Sequence, residues 1–173
     1  ERRVNVRLAS GASVVGALGT PVQILGGSGA LQATTVDWQS AGGYTIAIAG
    51  TINAQYYKID HIQGANGLDL QTGATVTSLS NGTFDNMVGT GATNDAFITV
   101  AGGLIGIGAP AQTVTGLSFT NTGSGAECNM RVTSAQTGYW SMTSSAGAFA
   151  GQTYECDLTT DPGELRWAAG GYM

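Results

Sequence analysis

The amino-acid sequence predicts an all-β fold, and more specifically a solenoid of stacked parallel strands. Glycine accounts for 28 of the 173 residues, more than twice its usual share of about 7%. Most other residues are small or β-branched, and short segments that alternate apolar with polar residues recur along the chain. Helical periodicity is nearly absent. Because β-branched residues favour extended backbone and glycine favours tight turns, we expect short strands joined by turns.

The composition also excludes several classes of protein. Hydrophobic residues make up 42% of the chain and the net charge is only −5, so the chain should fold rather than stay disordered. Lys58 is the only lysine, and without a basic stripe nucleic acid is not an expected partner. No apolar run reaches the roughly 18 residues of a membrane-spanning helix, so we expect no membrane insertion.

The predicted strands are distributed along the whole chain, and most are three to six residues long. In order they are residues 4–8, 22–25, 44–49, 56–62, 68–70, 75–79, 97–100, 114–119, 130–133, 139–143, 154–158 and 165–167. Glycine, asparagine or serine separates most of them. The hairpin signals Asn66-Gly67 and Asn81-Gly82 lack matched antiparallel flanks, which argues against a fold built from hairpins.

Two internal echoes favour a solenoid over other all-β folds. Residues 75–80 (Thr-Val-Thr-Ser-Leu-Ser) recur almost unchanged as residues 113–118 (Thr-Val-Thr-Gly-Leu-Ser). Residues 67–70 are echoed by residues 96–100, about 30 positions later. Repeats of this length predict rungs that stack because none can bury its own apolar face. A β-sandwich or jelly roll is the alternative.

Part of the chain resembles a known family. Residues 56–62 (Tyr-Tyr-Lys-Ile-Asp-His-Ile), 67–70 and 75–84 look like rungs of right-handed parallel β-helices of the pectin-lyase-like superfamily. They are more similar still to β-helix segments of large bacterial cell-surface proteins, in which residues 147–167 would form a terminal rung. The resemblance implies β-helix rungs over residues 51–173, while residues 1–50 match less well and are expected to form an N-terminal β cap or an irregular first rung.

Cys128 and Cys156 are the only two cysteines. A lone pair in a polar chain of this kind predicts one disulfide, with two buried thiols as the alternative. The two positions are about one rung apart, so the bridge would join adjacent coils near the C-terminal end. A zinc site with these cysteines is not expected, because the only histidine, His61, is distant from both in sequence.

No catalytic residues are predicted. Polysaccharide-cleaving relatives of the β-helix gather carboxylates on one strand face, and here Asp60, Asp69, Asp85 and Asp95 occupy the middle rungs without an Asp-Asp pair. Asp60 and His61 are consecutive, so in a strand their side chains should point to opposite faces. We therefore expect a protein that is not an enzyme, with a polysaccharide lyase or hydrolase as an alternative.

Metal and glycan binding are the other chemical possibilities. Asp85 and Asp95 bracket a glycine-rich loop at residues 87–93 whose oxygen atoms suit Ca²⁺, although such residues more often serve turns. No cofactor is otherwise expected. A sugar-stacking platform would need exposed aromatic rings, whereas such residues are more often core. The candidates are Trp38, Tyr44, Tyr56, Tyr57, Tyr139 and Trp140.

The two ends of the chain carry opposite charge. The cationic residues are Arg2, Arg3 and Arg7, and the acidic ones are Glu155, Asp157, Asp161 and Glu164. In a solenoid these ends are also the ends of the rod, so we predict head-to-tail contacts between copies. The alternative is that each set of charges blunts an edge against pairing.

The sequence thus predicts a secreted structural building block of a cell-surface or extracellular fibre, with copies of itself as partners. The alternative is an adhesin module that binds surface glycans. The first residue is Glu1, so we expect either that a signal peptide has been removed or that this is a piece of a longer precursor.

Overall fold

The computed structural model describes residues 4–29, 32–90, 92, 94–101, 111–120, 128–136, 138–158 and 163–168. This part of the chain holds parallel β-strands and one short 3-10 helix, Gln152–Tyr154, and no α-helix. The strands are β1 (Asn5–Leu8), β2 (Ser13–Gly16), β3 (Pro21–Leu25), β4 (Thr34–Trp38), β5 (Thr45–Ile48), β6 (Thr51–Asp60), β7 (Leu68–Leu70), β8 (Thr75–Asp85), β9 (Ala96–Val100), β10 (Ala111–Thr115), β11 (Ser118–Phe119), β12 (Cys128–Val132), β13 (Tyr139–Thr143) and β14 (Leu165–Trp167).

The strands wind into a parallel solenoid with three faces, and one circuit of the three faces is called a coil below. The second face is a five-stranded sheet in the order β2-β5-β7-β9-β12, so the rod has about five coils. The first face contains β1, β4, β11 and the second halves of β6 and β8. The third face contains β3 with the first halves of β6 and β8, and then β10, β13 and β14. The predicted solenoid is confirmed, and the sandwich alternative is wrong.

Left-handed residues at one corner explain how β6 and β8 serve two faces. Tyr56 has φ 53° in the middle of β6, and Asn81 has φ 51° in the middle of β8. Gly116 (φ 69°) and Ser144 (φ 53°) occupy the same corner in the next two coils. Positive φ turns the backbone out of the strand direction, and asparagine and glycine tolerate it best. The corner therefore recurs because the backbone bend recurs, with no strict sequence motif.

One of the two internal echoes is a direct register match. Leu68 pairs with Ile98, Asp69 with Thr99 and Leu70 with Val100 across β7 and β9. Residues 75–80 and 113–118 both begin on the third face of consecutive coils, but the second segment is divided at Gly116 into β10 and β11. The structure pairs Ser118 with Thr83, an offset of 35 residues (118 − 83), whereas the sequence echo has an offset of 38 (113 − 75). Only the echo between residues 67–70 and 96–100 therefore marks equivalent positions in neighbouring coils.

Several element predictions need correction. The sequence did not predict strands β2 and β4. All of β2 pairs with β5 of the second coil, and residues 35–38 of β4 pair with β1 of the first coil. The predicted strand at residues 154–158 is wrong: Tyr154 ends the 3-10 helix, and Cys156 makes only an isolated bridge with Arg131.

Residues 1–50, expected as a cap or an irregular first rung, contain strands β1 to β5, and these strands lie in the same sheets as the later strands.

The interior is a continuous apolar core that is closed in the middle of the rod and open at its first coil. One inward row of the first face runs Val6, Val36, Ile59, Phe84 and Phe119. Exposure along this row falls from 40% at Val6 to 6% at Val36 and 0% at the other three residues. Each central coil is thus sealed by a coil on either side, whereas the first coil is covered on one side only among the described residues.

Two buried tyrosines offer a matched test of the hydrogen bonding inside the core. The Tyr44 hydroxyl donates to the Val36 carbonyl oxygen at 2.9 Å, whereas the buried Tyr57 hydroxyl has no hydrogen-bond partner among the described residues. We expect Tyr44→Phe to lower the free energy of unfolding by about 1 kcal/mol and Tyr57→Phe to raise it by about 1 kcal/mol. Urea denaturation of both variants measures this, and shifts of the same sign would contradict it.

Candidate assembly end and polar face

Exposed apolar side chains are concentrated at the two ends of the rod. Among the described residues, every exposed large hydrophobic side chain belongs to the first coil or to residues 154–158 of the last coil. They are Val4, Val6, Val15, Leu18 and Leu25 at the first coil, and Tyr154 and Leu158 at the last. Val15 and Leu25 follow the inward-facing Val14 and Ile24, so they point outward from the second and third faces of the first coil. Exposed apolar side chains grouped on one part of a folded protein mark a candidate site of contact with another molecule. We call the surface formed by the first coil, residues 4–25, the open end.

The strands of the open end also have unused edges. Among the described residues, β1, β2 and β3 each pair on one side only, with β4, β5 and β6 of the second coil. Their outer edges present backbone N–H and C=O groups in the direction of the rod axis. Unpaired edges of this kind are templates for a further strand. The open end therefore offers hydrogen-bonding groups and apolar side chains together.

The last coil has a different construction. It consists of isolated bridges at Ala146 and Cys156 followed by β14. The disulfide between Cys128 and Cys156 joins it to the previous coil, as the sequence predicts, with 5.6 Å between the Cα atoms. The buried Asn129 donates from Nδ2 to the carbonyl oxygens of Phe149 and Gly151 at 2.8 and 2.9 Å. Covalent and polar contacts thus fix the shape of this end.

The predicted charges at the two ends are only partly described. Arg2, Arg3 and Asp161 lie outside the described residues, while Arg7 lies on the exposed first face of the open end. At the last coil, the Asp157 carboxylate accepts the backbone N–H groups of Leu158 and Leu165 at 2.7 and 2.9 Å. Glu155 accepts a hydrogen bond from the Trp167 indole, and Glu164 lies next to β14. Asp157 and Glu155 therefore also help to fix the shape of the last coil.

The first face carries the main cluster of titratable groups. Arg7, Asp37, Asp60 and Asp85 occupy equivalent outward positions on four successive coils. Lys58 lies among them, with its Nζ 2.6 Å from Asp60 Oδ2 and 2.9 Å from Asp85 Oδ2. We call Asp37, Lys58, Asp60, His61 and Asp85 the polar face.

The ion pairs of Lys58 shift the pKa values of two groups. Partial burial alone would lower the pKa of Lys58, but hydrogen bonds and charge from Asp60 and Asp85 raise it above its usual value. Partial burial alone would raise the pKa of Asp85, but hydrogen bonds from Lys58 and Thr120 lower it. Both groups are therefore held in their charged forms.

His61 overturns the prediction that it points away from Asp60. Its backbone has φ 59°, so the alternation of strand side chains ends at Asp60. As a result, His61 Nδ1 lies 2.9 Å from Asp37 Oδ1 and 3.1 Å from Asp60 Oδ1. The imidazole also stacks on Trp38, with ring centroids 4.0 Å apart and an interplanar angle of 8°.

Asp85 and Asp95, the residues that bracket the predicted calcium loop, have different partners. Asp85 pairs with Lys58 on the polar face. Asp95 is fully buried, and its two carboxylate oxygens accept hydrogen bonds from the backbone N–H and the hydroxyl of Thr90. Asp95 thus serves as a turn residue. The fourth predicted carboxylate, Asp69, lies on the second face and accepts a hydrogen bond from the Gln71 side-chain amide.

The six candidate aromatic residues do not form one stacking platform. Tyr44, Tyr57 and Trp140 are buried in the core. The Tyr139 ring is covered by the Arg166 guanidinium, which lies 3.7 Å from the ring centroid. Trp38 is occupied by His61. Tyr56 is half-buried at the corner between the third and first faces. The six rings therefore lie in different surroundings and do not form one shared surface.

Comparison with known proteins leaves the family open. No protein-family model, curated protein or solved structure matches the chain. No helix among the described residues has the length and apolar character that crossing a membrane requires.

Sequence reasoning missed two parts of these sites. Asp37 was not a candidate because β4, which carries it, was not predicted as a strand. The apolar surface of the open end was also missed, since Val15 and Leu18 are indistinguishable in sequence from core residues. The charges at residues 1–7 were the one sequence signal at this end.

Proposed function

We propose that the chain is a structural building block of an extracellular or cell-surface fibre, in which copies join end to end. The right-handed β-helix of bacterial surface proteins is the proposed form of the solenoid. The observation that carries the proposal is that, among the described residues, the exposed large apolar side chains belong to the first and last coils, with none on the coils between them. Burying such surface contributes about 25 cal/mol per Å².

Stacking the last coil of one copy on the open end of another would continue the sheets. Strand β14 of the second copy would lie against the outer edge of β3, and its bridge residues Ala146 and Cys156 would lie against β1 and β2. The second copy would cover Val6 as Val36 is covered within the chain. The acids Glu155 and Asp157 of one copy would approach Arg7 of the next. Contacts between two different surfaces of the same molecule propagate into a filament unless they close.

The disulfide supports an extracellular location. Such bonds persist in oxidising compartments and are rare in the cytosol. The bond between Cys128 and Cys156 also holds the last coil, which would contact the open end of the next copy. The low content of charged residues, 10%, suits a surface that packs against copies of itself better than one that repels them.

A charge placed at the open end should abolish assembly. We expect the unmodified chain to form species that lengthen with concentration, and Val4→Lys or Val6→Lys to keep it monomeric, because a lysine there would be buried unpaired at each contact. Val4 precedes β1, so its substitution leaves the core intact. The matched control, Thr77→Lys, places the same charge at an exposed position in the middle of the rod. Sedimentation velocity and negative-stain electron microscopy at moderate salt measure the result.

Three outcomes would contradict the proposal. Monomers of the unmodified chain at every concentration would exclude end-on association. A closed dimer that does not grow would exclude the head-to-tail arrangement in favour of a two-fold contact. Equal loss of assembly in Thr77→Lys would assign the contact to the sides of the rod.

Arg7→Ala tests the attraction between the acids of the last coil and Arg7 of the next copy. We expect shorter filaments of this variant at low salt and no difference at high salt.

A further inference from the structure

Three metal-binding side chains converge at the edge of the polar face. The atoms are His61 Nδ1, Asp37 Oδ1 and Asp60 Oδ1, and they all lie within 4.8 Å of one another. The nitrogen is 2.9 Å from one oxygen and 3.1 Å from the other. Two ligand atoms of a tetrahedral cation with bonds of about 2.1 Å lie about 3.4 Å apart. The donor atoms therefore need to separate by only about 0.3–0.5 Å to enclose such a cation.

We propose that Asp37, Asp60 and His61 bind one first-row divalent transition-metal cation such as Zn²⁺. An imidazole with two carboxylates is a borderline donor set that suits Zn²⁺ and its neighbours, whereas Ca²⁺ and Mg²⁺ prefer oxygen ligands alone. The three side chains are half-buried or partly buried, with exposures of 25%, 29% and 12% for His61, Asp37 and Asp60. The remaining coordination positions are therefore open to water.

The donor atoms are held in place by their neighbours. Trp38 stacks on the imidazole, and its backbone N–H donates to Asp37 Oδ1 at 2.7 Å. Asn86 Nδ2 donates to Asp60 Oδ1 at 3.0 Å. Lys58 binds the other oxygen, Asp60 Oδ2, and so orients this carboxylate with Oδ1 towards the imidazole. Hydrogen bonds to ligating groups fix their orientation and increase metal affinity.

The position of the cluster gives the cation a structural task. The ladder between β4 and β6 ends at the pair Val36 and Ile59. In contrast, the ladders on either side of it continue to Trp38 of β4 and to Asp60 of β6. The three donors lie immediately beyond this last pair, in a gap that ends where the Gln63 N–H donates to the Tyr44 carbonyl oxygen at 2.9 Å and joins the second and third coils again. A cation bound there would cross-link these two coils.

Titration calorimetry with ZnCl₂ in a non-coordinating buffer near neutral pH tests the site. We expect one Zn²⁺ per chain, and at least about tenfold weaker binding for His61→Asn and for Asp37→Asn. His61 is the only histidine and both cysteines are in the disulfide, so no other imidazole or thiolate competes. Asparagine accepts the left-handed backbone of residue 61, which protects the fold of that variant. Asp69→Asn removes the same formal charge from the second face and should bind as the unmodified chain does.

A spectroscopic measurement locates the cation independently. Because Trp38 lies against His61, Co²⁺ bound at the site should quench Trp38 fluorescence, and Zn²⁺ should reverse this by displacement. Trp38→Phe should abolish the quenching while the other two tryptophans remain. Absence of saturable Zn²⁺ binding, or binding unchanged in both His61→Asn and Asp37→Asn, would overturn the proposal. Ca²⁺ binding as tight as that of Zn²⁺ would overturn the assigned class of cation.

Discussion

Replacing Phe84 by alanine is expected to lower the free energy of unfolding by about 3–5 kcal/mol. The side chain is fully buried, and its ring stacks on Phe119 with centroids 5.6 Å apart. It also contacts Tyr57 and Phe97, at 5.8 and 5.9 Å. These rings belong to three successive coils, so the cavity would weaken contacts both above and below. In a solenoid such contacts between neighbours supply most of the stability.

Urea or guanidinium denaturation followed by circular dichroism measures this loss. Phe149→Ala is the matched control, because that ring is only partly buried in the last coil and packs edge-on against Tyr154 at 5.1 Å. We expect its effect to be less than half as large. Equal losses in the two variants would show that burial in the central coils does not determine stability, against the picture of a closed middle and open first coil.

The fold class could be predicted because it depends on local composition. Glycine and β-branched residues determine where strands and corners can form, and the echo between residues 67–70 and 96–100 marked equivalent positions in neighbouring coils. The disulfide was predicted from the single pair of cysteines, and their spacing of about one rung placed it between adjacent coils. What the sequence does not show is the register between coils, since the corners vary in length. Asp37 comes beside Asp60 only through the pairing of β4 with β6.

The convergence of Asp60 and His61 shows where a local rule fails. Alternation of side chains holds within a strand, and the sequence predicts residues 56–62 as one strand. In the structure β6 ends at Asp60 and His61 turns the corner with φ 59°. Glycine adopts such a conformation most readily, and histidine adopts it more often than most other residues. The cluster of Asp37, Asp60 and His61 therefore lies at the point where the periodic pattern stops.

Removal of the disulfide is expected to have the second large effect. The bond closes a loop of 28 residues, and in the chain-entropy model a loop of this size contributes about 3–4 kcal/mol to the free energy of unfolding. We expect Cys128→Ala combined with Cys156→Ala to lose this amount in denaturation experiments. Added reductant should bring the unmodified chain to a similar value and leave the double variant unchanged, which is the control.

The loss should be local before it is global, because Cys156 belongs to the last coil and Cys128 to the coil before it. Hydrogen exchange should quicken at Leu165–Trp167 of β14 in the reduced chain, while Leu68–Leu70 of β7 keeps its protection. Equal acceleration in β7 and β14 would contradict a role confined to the end of the rod. If the last coil is the tail of the head-to-tail contact, reduction should also shorten filaments without changing the binding of Zn²⁺ at the polar face, since the two sites lie on different coils.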